Sequence, residues 1–195
     1  AQCLRCATVC TSGAITRAED GGIAVDPALC IGCGTCATVC PSGCLEPLNP
    51  TDEELFGHMA DALISADTLV VACGNAAAMA GCEHTVECLG RIDEAFLAEA
   101  VARGAHRIVL MEGNCAQCAH KTGGAVANNV LAEARSLLRA FGSDAELEKI
   151  PAAQATEEGL LANVLRCIGA GENTATDAPK VTAEDLNFQH VQDDG

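Results

Sequence analysis

The phrase CIGCGTCATVC places Cys30, Cys33, Cys36 and Cys40 at gaps of two, two and three residues, with Pro41 directly after. A thiolate is a soft donor, suited to iron held with inorganic sulfide, the alternatives being zinc or unligated thiols. Structural zinc takes cysteine pairs separated by a longer loop. Four cysteines within eleven residues instead match the C-x2-C-x2-C-x3-C-P run that holds iron–sulfur cubanes. Two-residue gaps let one tight loop meet three iron corners. The fourth cysteine points out of that loop toward a neighbouring centre, and Pro41 fixes the turn there.

The same phrase occurs earlier. CATVCTSGAI at residues 6–15 matches CATVCPSGCL at residues 36–45, an offset of thirty positions. By that offset Cys33 maps to Cys3, and Cys30 maps to a position just before Ala1. Cys44 maps to Ala14, so the repeat does not need it as a ligand, and it reads as a small buried hydrophobe. Thr11 stands where the second run has Pro41. A fragment beginning one residue after its own first ligand is the expectation here; a three-iron or labile centre is the alternative.

Residues 1–50 resemble the bacterial two-cluster ferredoxin domain, an α+β ferredoxin-like fold that moves single electrons. The resemblance implies two 4Fe-4S clusters, one on Cys3, Cys6 and Cys40, the other on Cys30, Cys33, Cys36 and Cys10. Gly-, Ser- and Thr-rich loops supply backbone amides that stabilise the reduced centre, while an acidic surface opposes that stabilisation.

Composition excludes several other functions. Twenty-seven acidic against eleven basic residues give a net charge of −16, which repels nucleic acid and anionic lipid. A partner with a basic patch is the complement. The longest apolar stretch, around DTLVVACGNAAAMAG, is too short to span a bilayer. No targeting segment is visible. Clustered free thiols fit a reducing cytoplasm rather than a disulfide framework. Aromatic content is 2 %, without Trp or Tyr, so base stacking and a flavin-stacking pocket both lack material.

Elements must then carry the remaining cysteines. After Pro47, Asn49 and Pro50, Thr51 and Glu54 form a capping-box signature for a helix to about Ser65. TLVVAC reads as a buried parallel strand, HTVECLG as a second strand and HRIVLMEG as a third. IDEAFLAEAVARG and AVANNVLAEARSLLRAFG read as helices, stopped by Gly104 and Gly142. AELEKI and EEGLLANVLRCI repeat the alternation, with Cys167 on an apolar helix face. The prediction is an α/β domain over residues 51–170 with a mostly parallel open sheet, then an acidic linker and tail over 171–195. EDLNFQHVQ within that tail reads as a short docking piece.

In such a sheet the carboxyl ends of the strands share one edge, where ligands bind. Cys73 and Cys88 end the first two strands in this reading, and Cys115 and Cys118 follow the third. They are candidates for a third cluster, 2Fe-2S or 4Fe-4S, with Cys82 in the Gly/Ala-rich loop as an alternate. The competing reading makes them packing residues; the Cys115-x2-Cys118 pair weighs against it. His84 and His120 read as loop hydrogen bonders beside the site. HKTGG offers free amides before a helix but lacks phosphate-loop spacing.

CLGRIDEAFLAEAVARGAHRIVLMEGNCAQC resembles the delta subunit of methyl-viologen-reducing hydrogenases, over about residues 66–130. That resemblance implies an iron–sulfur subunit relaying electrons between a hydrogenase and a flavoprotein or disulfide-reducing partner. The terminal pair is Cys-x2-Cys rather than a wider spacing, and a double cysteine near the first strand is missing. The functional expectation is an electron-transfer subunit rather than a stand-alone enzyme. Two alternatives are a thiol/disulfide oxidoreductase acting through Cys115 and Cys118, and a flavin-binding domain.

Overall fold

The protein is described by a computed structural model over residues 3–81 and 85–163. The chain opens with two short helices, α1 (Arg5–Val9) and α2 (Thr35–Thr38), thirty positions apart and packed on one another. Between them lies an antiparallel ribbon of β1 (Ile15–Arg17) and β2 (Ile23–Val25), in which Ile15 opposes Val25. The internal repeat of the sequence is therefore also a repeat of helices.

Helix α3 (Asp52–Ala62) begins as its capping box predicts. The Glu54 backbone N–H donates to Thr51 Oγ1 at 3.2 Å, and the Thr51 N–H donates to Glu54 Oε2 at 2.9 Å. Three parallel strands follow in the order β3 (Thr68–Ala72), β4 (Arg107–Glu112), β5 (Glu146–Pro151). Leu69 pairs with Ile108, and Ile108 with Leu147. Leu69, Val70, Val71 and Ala72, like Ile108, Val109, Leu110 and Met111, are fully buried. Continuous burial means both faces of the sheet are covered, as expected for parallel strands.

The cover comes from α4 (Gly74–Ala80), α5 (Glu94–Ala102), α6 (Lys121–Ala140) and α7 (Ala152–Glu157), with α4 against α7 and α5 against α6. Phe56 of α3 meets Phe96 of α5 edge to face, ring centroids 5.6 Å apart. At roughly 25 cal/mol per Å² this apolar burial, built from small aliphatics, supplies the main driving force for folding.

Several expectations change. HTVECLG forms no strand: Val86 makes one parallel bridge to Cys73, and Cys88 instead caps a 3₁₀ turn at Leu89–Arg91. The Gly/Ala-rich stretch is not a loop but helix α4, because alanine is the best helix former. Helix α6 starts at Lys121, absorbing the TGG of HKTGG into its first turn. After β5, α7 begins at Ala152 and a 3₁₀ turn spans Leu160–Asn163. Cys82, His84, Cys167 and the 171–195 tail lie outside the described residues. No described helix is long and apolar enough to cross a membrane.

Candidate metal centre

Three thiols of the second run share one loop. Gly32 and Gly34 adopt φ of +67° and +72°, a left-handed backbone open mainly to glycine, so the chain curls tightly between Cys30 and Cys36. Burial pushes the Cys36 thiol up to about 11, and the neighbouring Cys33 and Cys30 add to that rise. In the first run burial likewise raises Cys6, with contributions from Cys40 and Cys3. The structure thus brings Cys30, Cys33 and Cys36 together, and separately Cys3, Cys6 and Cys40.

The last cysteines of the two phrases also share a setting. Cys10 lies 3.5 Å from Ser12 Oγ, and Cys40 lies 3.5 Å from Ser42 Oγ. Burial raises each thiol, but serine and backbone donors outweigh it, lowering Cys10 and bringing Cys40 to about 6. Donors that stabilise a thiolate favour metal ligation. Cys44 departs from its expected buried state: it is exposed, and its sulfur is 3.4 Å from that of Cys40.

The edge of the parallel sheet gathers the rest. Cys73, Cys88, Cys115 and Cys118 line one narrow cleft with His120, Gly113 and Gly124, leaving about 10 Å³ of free space. Cys73 caps α4 and accepts from the Ala76 N–H at 3.4 Å; Cys88 accepts from the Gly90 N–H at 3.5 Å. Cys118 accepts from the His120 N–H at 3.4 Å. Backbone N–H groups directed at sulfur are the outer support that thiolate ligands use. Burial, with Cys33 and Cys73 close by, pushes Cys88 up to about 12. Burial and the Glu112 carboxylate, 3.6 Å away, raise Cys115 as well. A dithiol nucleophile requires an exposed thiol of low pKa, and half-buried Cys115 is shifted the other way.

Glycines seat these sulfurs. A Cβ at Gly123 would stand 2.0 Å from Cys88 Sγ, and one at Gly124 would stand 2.9 Å from Cys115 Sγ. The TGG motif therefore makes room for thiols rather than cradling an anion. Gly90 serves the same seam, since a Cβ there would meet Thr35 Oγ1 at 2.5 Å and Gly123 Cα at 2.7 Å.

That seam joins the two cysteine regions directly. Thr11 Oγ1 donates to the Ala119 carbonyl and Thr122 Oγ1 to that of Val9, each at 2.6 Å. The threonine that replaces proline after Cys10 thus supplies a cross-link that proline could not. Arg91 pairs with Asp52, and its stem lies against Gly34, where a Cβ would fall 2.4 Å from Arg91 Cδ. His120 contacts Cys33 through its ring, and its carbonyl faces Cys88 Sγ at 3.8 Å. Sequence reasoning missed these contacts, because nothing in the spacing of residues 34–35 and 90–91 links them.

The donor set fits multi-iron centres in character. A cluster spreads its thiolates around several irons. Buried polar atoms without a hydrogen-bond partner include Thr38 Oγ1, Arg91 Nε and His120 Nδ1, all beside the second run. An acceptor-rich body of sulfide and thiolate is what such atoms lack.

Residues 23–46 match the model for 4Fe-4S binding domains, and residues 80–169 match that for methyl-viologen-reducing hydrogenase, delta subunit. The chain joins a 4Fe-4S binding domain to a domain like the hydrogenase delta subunit. The first match covers Cys30 to Cys40 and leaves Cys3, Cys6 and Cys10 outside; the second covers Cys88, Cys115 and Cys118 but not Cys73. Over 33 residues the chain is 58 % identical to isethionate sulfite-lyase activating enzymes of Nitratidesulfovibrio vulgaris and Oleidesulfovibrio alaskensis. That stretch is 17 % of this chain and 11 % of each relative, so the chain spans only a small part of their length. No solved structure matches. The two domain matches support an iron–sulfur electron-transfer role.

Proposed function

We propose that this chain is an electron-relay subunit of a cytoplasmic oxidoreductase complex, with two 4Fe-4S centres beside a third cysteine site. Cys3, Cys6 and Cys40 would hold one centre, and Cys10, Cys30, Cys33 and Cys36 the other. Cys73, Cys88, Cys115 and Cys118 would hold the third, of two or four irons. When bound, such clusters accept and release single electrons without proton chemistry by the protein. The chain's own residues bury the sulfurs, aim N–H groups at them and fix their separation.

The observation that carries this reading is the seam itself. Cys73, Cys88, Cys115 and Cys118 line one cleft, and a Cβ at Gly123 would meet both Cys88 Sγ and Thr35 of the second run. Thiols from distant parts of the chain therefore meet at the sheet edge, directly beside the second run. An acidic surface suits a redox partner with a basic patch, of the hydrogenase, flavoprotein or disulfide-reductase kind.

The test is anaerobic reconstitution, with iron and labile sulfide counted per chain and the centres observed by electron paramagnetic resonance. Iron beyond two cubanes is expected, and Cys88→Ser with Cys115→Ser should remove that excess alone. A colourless product binding only zinc would refute the reading; iron for two cubanes and no more would remove the third centre.

A further inference from the structure

The two cysteine runs share a phrase but not a setting. In the second run Thr35 is 1 % exposed. Its hydroxyl is directed at the Cys33 and Cys88 thiols, and no oxygen or nitrogen partners Oγ1. Arg91 is 4 % exposed and lies against Gly34, in the same loop. One terminal nitrogen of its guanidinium meets Asp52, while Nε is buried and unpartnered. His120 contacts Cys33, and its Nδ1 is also buried without a partner.

Thirty positions earlier the counterparts differ. Leu4 replaces Gly34 and Arg5 replaces Thr35. Arg5 and Thr8 are exposed, and the Thr8 hydroxyl already donates to the Arg5 carbonyl at 2.7 Å. An exposed cation is screened by water, whereas a buried one is screened far less. Asp52, 59 % exposed, offsets Arg91 only from the solvent side.

Buried donors without acceptors are costly, so their clustering around one loop points to an acceptor that belongs there. Donors to sulfur and nearby positive charge favour the more negative, reduced form of an iron–sulfur centre. We propose that Thr35 and Arg91, seated beside His120, hold the centre on Cys30, Cys33 and Cys36 at a higher reduction potential than its repeat-related neighbour on Cys3, Cys6 and Cys40. Thr35 and Arg91 are positioning residues in this scheme. They bias one electron to leave the first centre, oxidising it, and to reduce the second, which faces Cys88 and the sheet edge. The inference rests on the cluster assignment proposed above.

The test uses the full chain, reconstituted anaerobically with iron and sulfide, in redox titrations followed by electron paramagnetic resonance. Cys6→Ser and, separately, Cys88→Ser with Cys115→Ser assign the signals, because the one that survives both belongs to the second run. Thr35→Val should lower the midpoint of that signal alone, by at least a tenfold change in the one-electron equilibrium constant, or 59 mV. Thr35→Ser should restore it. Arg91→Met should shift the same signal in the same direction, and if that variant fails to assemble, Thr35→Val and its serine rescue decide the matter. Equal shifts in both signals, no shift, or a second-run signal lying lower in the unmodified chain would overturn the proposal. Normal iron content with unmoved midpoints overturns this inference alone; a chain that binds no iron overturns the cluster reading as well.

Discussion

Replacing Gly123 with alanine sets two effects of opposite sign against each other. Gly123 lies in the first turn of α6, where a generic Gly→Ala change favours the helix by up to about 1 kcal/mol. Here the added methyl would come within 2.0 Å of Cys88 Sγ and 3.2 Å of Thr35 Oγ1. Neither neighbour is free to retreat. Cys88 is held by the Gly90 N–H, and Thr35 sits on the loop that carries three cysteines. Overpacking of this kind costs about 1–3 kcal/mol, so the clash should win and the net change should be destabilising. Gly57, inside α3, has nothing within 4 Å of its would-be Cβ. Gly57→Ala should therefore stabilise, and because the helix gain is common to both, the two variants should differ by the overpacking cost of about 1–3 kcal/mol. Denaturant unfolding of each, read by circular dichroism under anaerobic conditions, measures the gap. A Gly123→Ala chain as stable as Gly57→Ala, with its iron content unchanged, would show that the seam is not packed as described.

Three further outcomes follow from the same geometry. In the chain stripped of iron, Cys40, at about 6, should be about nine-tenths thiolate at pH 7, against about one part in ten thousand for Cys36 at about 11. Brief iodoacetamide labelling read by mass spectrometry should therefore mark Cys40 well before Cys36, and Ser42→Ala should slow the Cys40 reaction. Arg107 bridges Glu148 and Glu158, at 29 % side-chain exposure. Arg107→Met should cost about 1 kcal/mol or less at low salt and still less in 0.5 M salt, as expected for screened pairs, with unfolding midpoints as the measure. The backbone and hydroxyl of Thr51 hold the exposed Glu54 carboxylate below its usual range. Its contribution is present above the ordinary glutamate pKa and is lost as pH falls through the lowered folded value. The melting advantage of the unmodified chain over Glu54→Ala should thus persist at pH 7 and vanish in strong acid.

What was legible in the sequence was whatever depends on near neighbours. The capping box at Thr51 and Glu54, the buried runs of β3 and β4, and the CATVC repeat each rest on spacings of a few residues. The misreadings have local causes too. HTVECLG has strand-forming residues, but only Val86 finds a partner, and Cys88 turns the chain into a 3₁₀ turn. Glycines usually break helices, which concealed α4, where alanines outweigh the terminal glycine, and the early start of α6. The seam was not legible at all. Gly90 and Gly123 are ordinary glycines until the fold sets Thr35 and Cys88 against them.

This non-local packing explains why a sequence repeat need not produce two equivalent sites. In both copies partial or full burial raises the first cysteine of the phrase, and both give its last cysteine a serine neighbour. Those features lie within the repeated phrase, so the repeat preserves them. Gly34 and Thr35 lie just before it, where Leu4 and Arg5 stand in the first copy. A leucine at position 34 would meet the Arg91 stem, since even a Cβ there falls 2.4 Å from its Cδ. An arginine at position 35 would have to lose its charge or its place among Cys88, Gly90 and Gly123. Only the second copy can therefore pack the residues before its phrase against Gly90, Arg91 and Gly123. The difference between the runs resides in the two residues preceding the shared phrase, not in the ligands themselves.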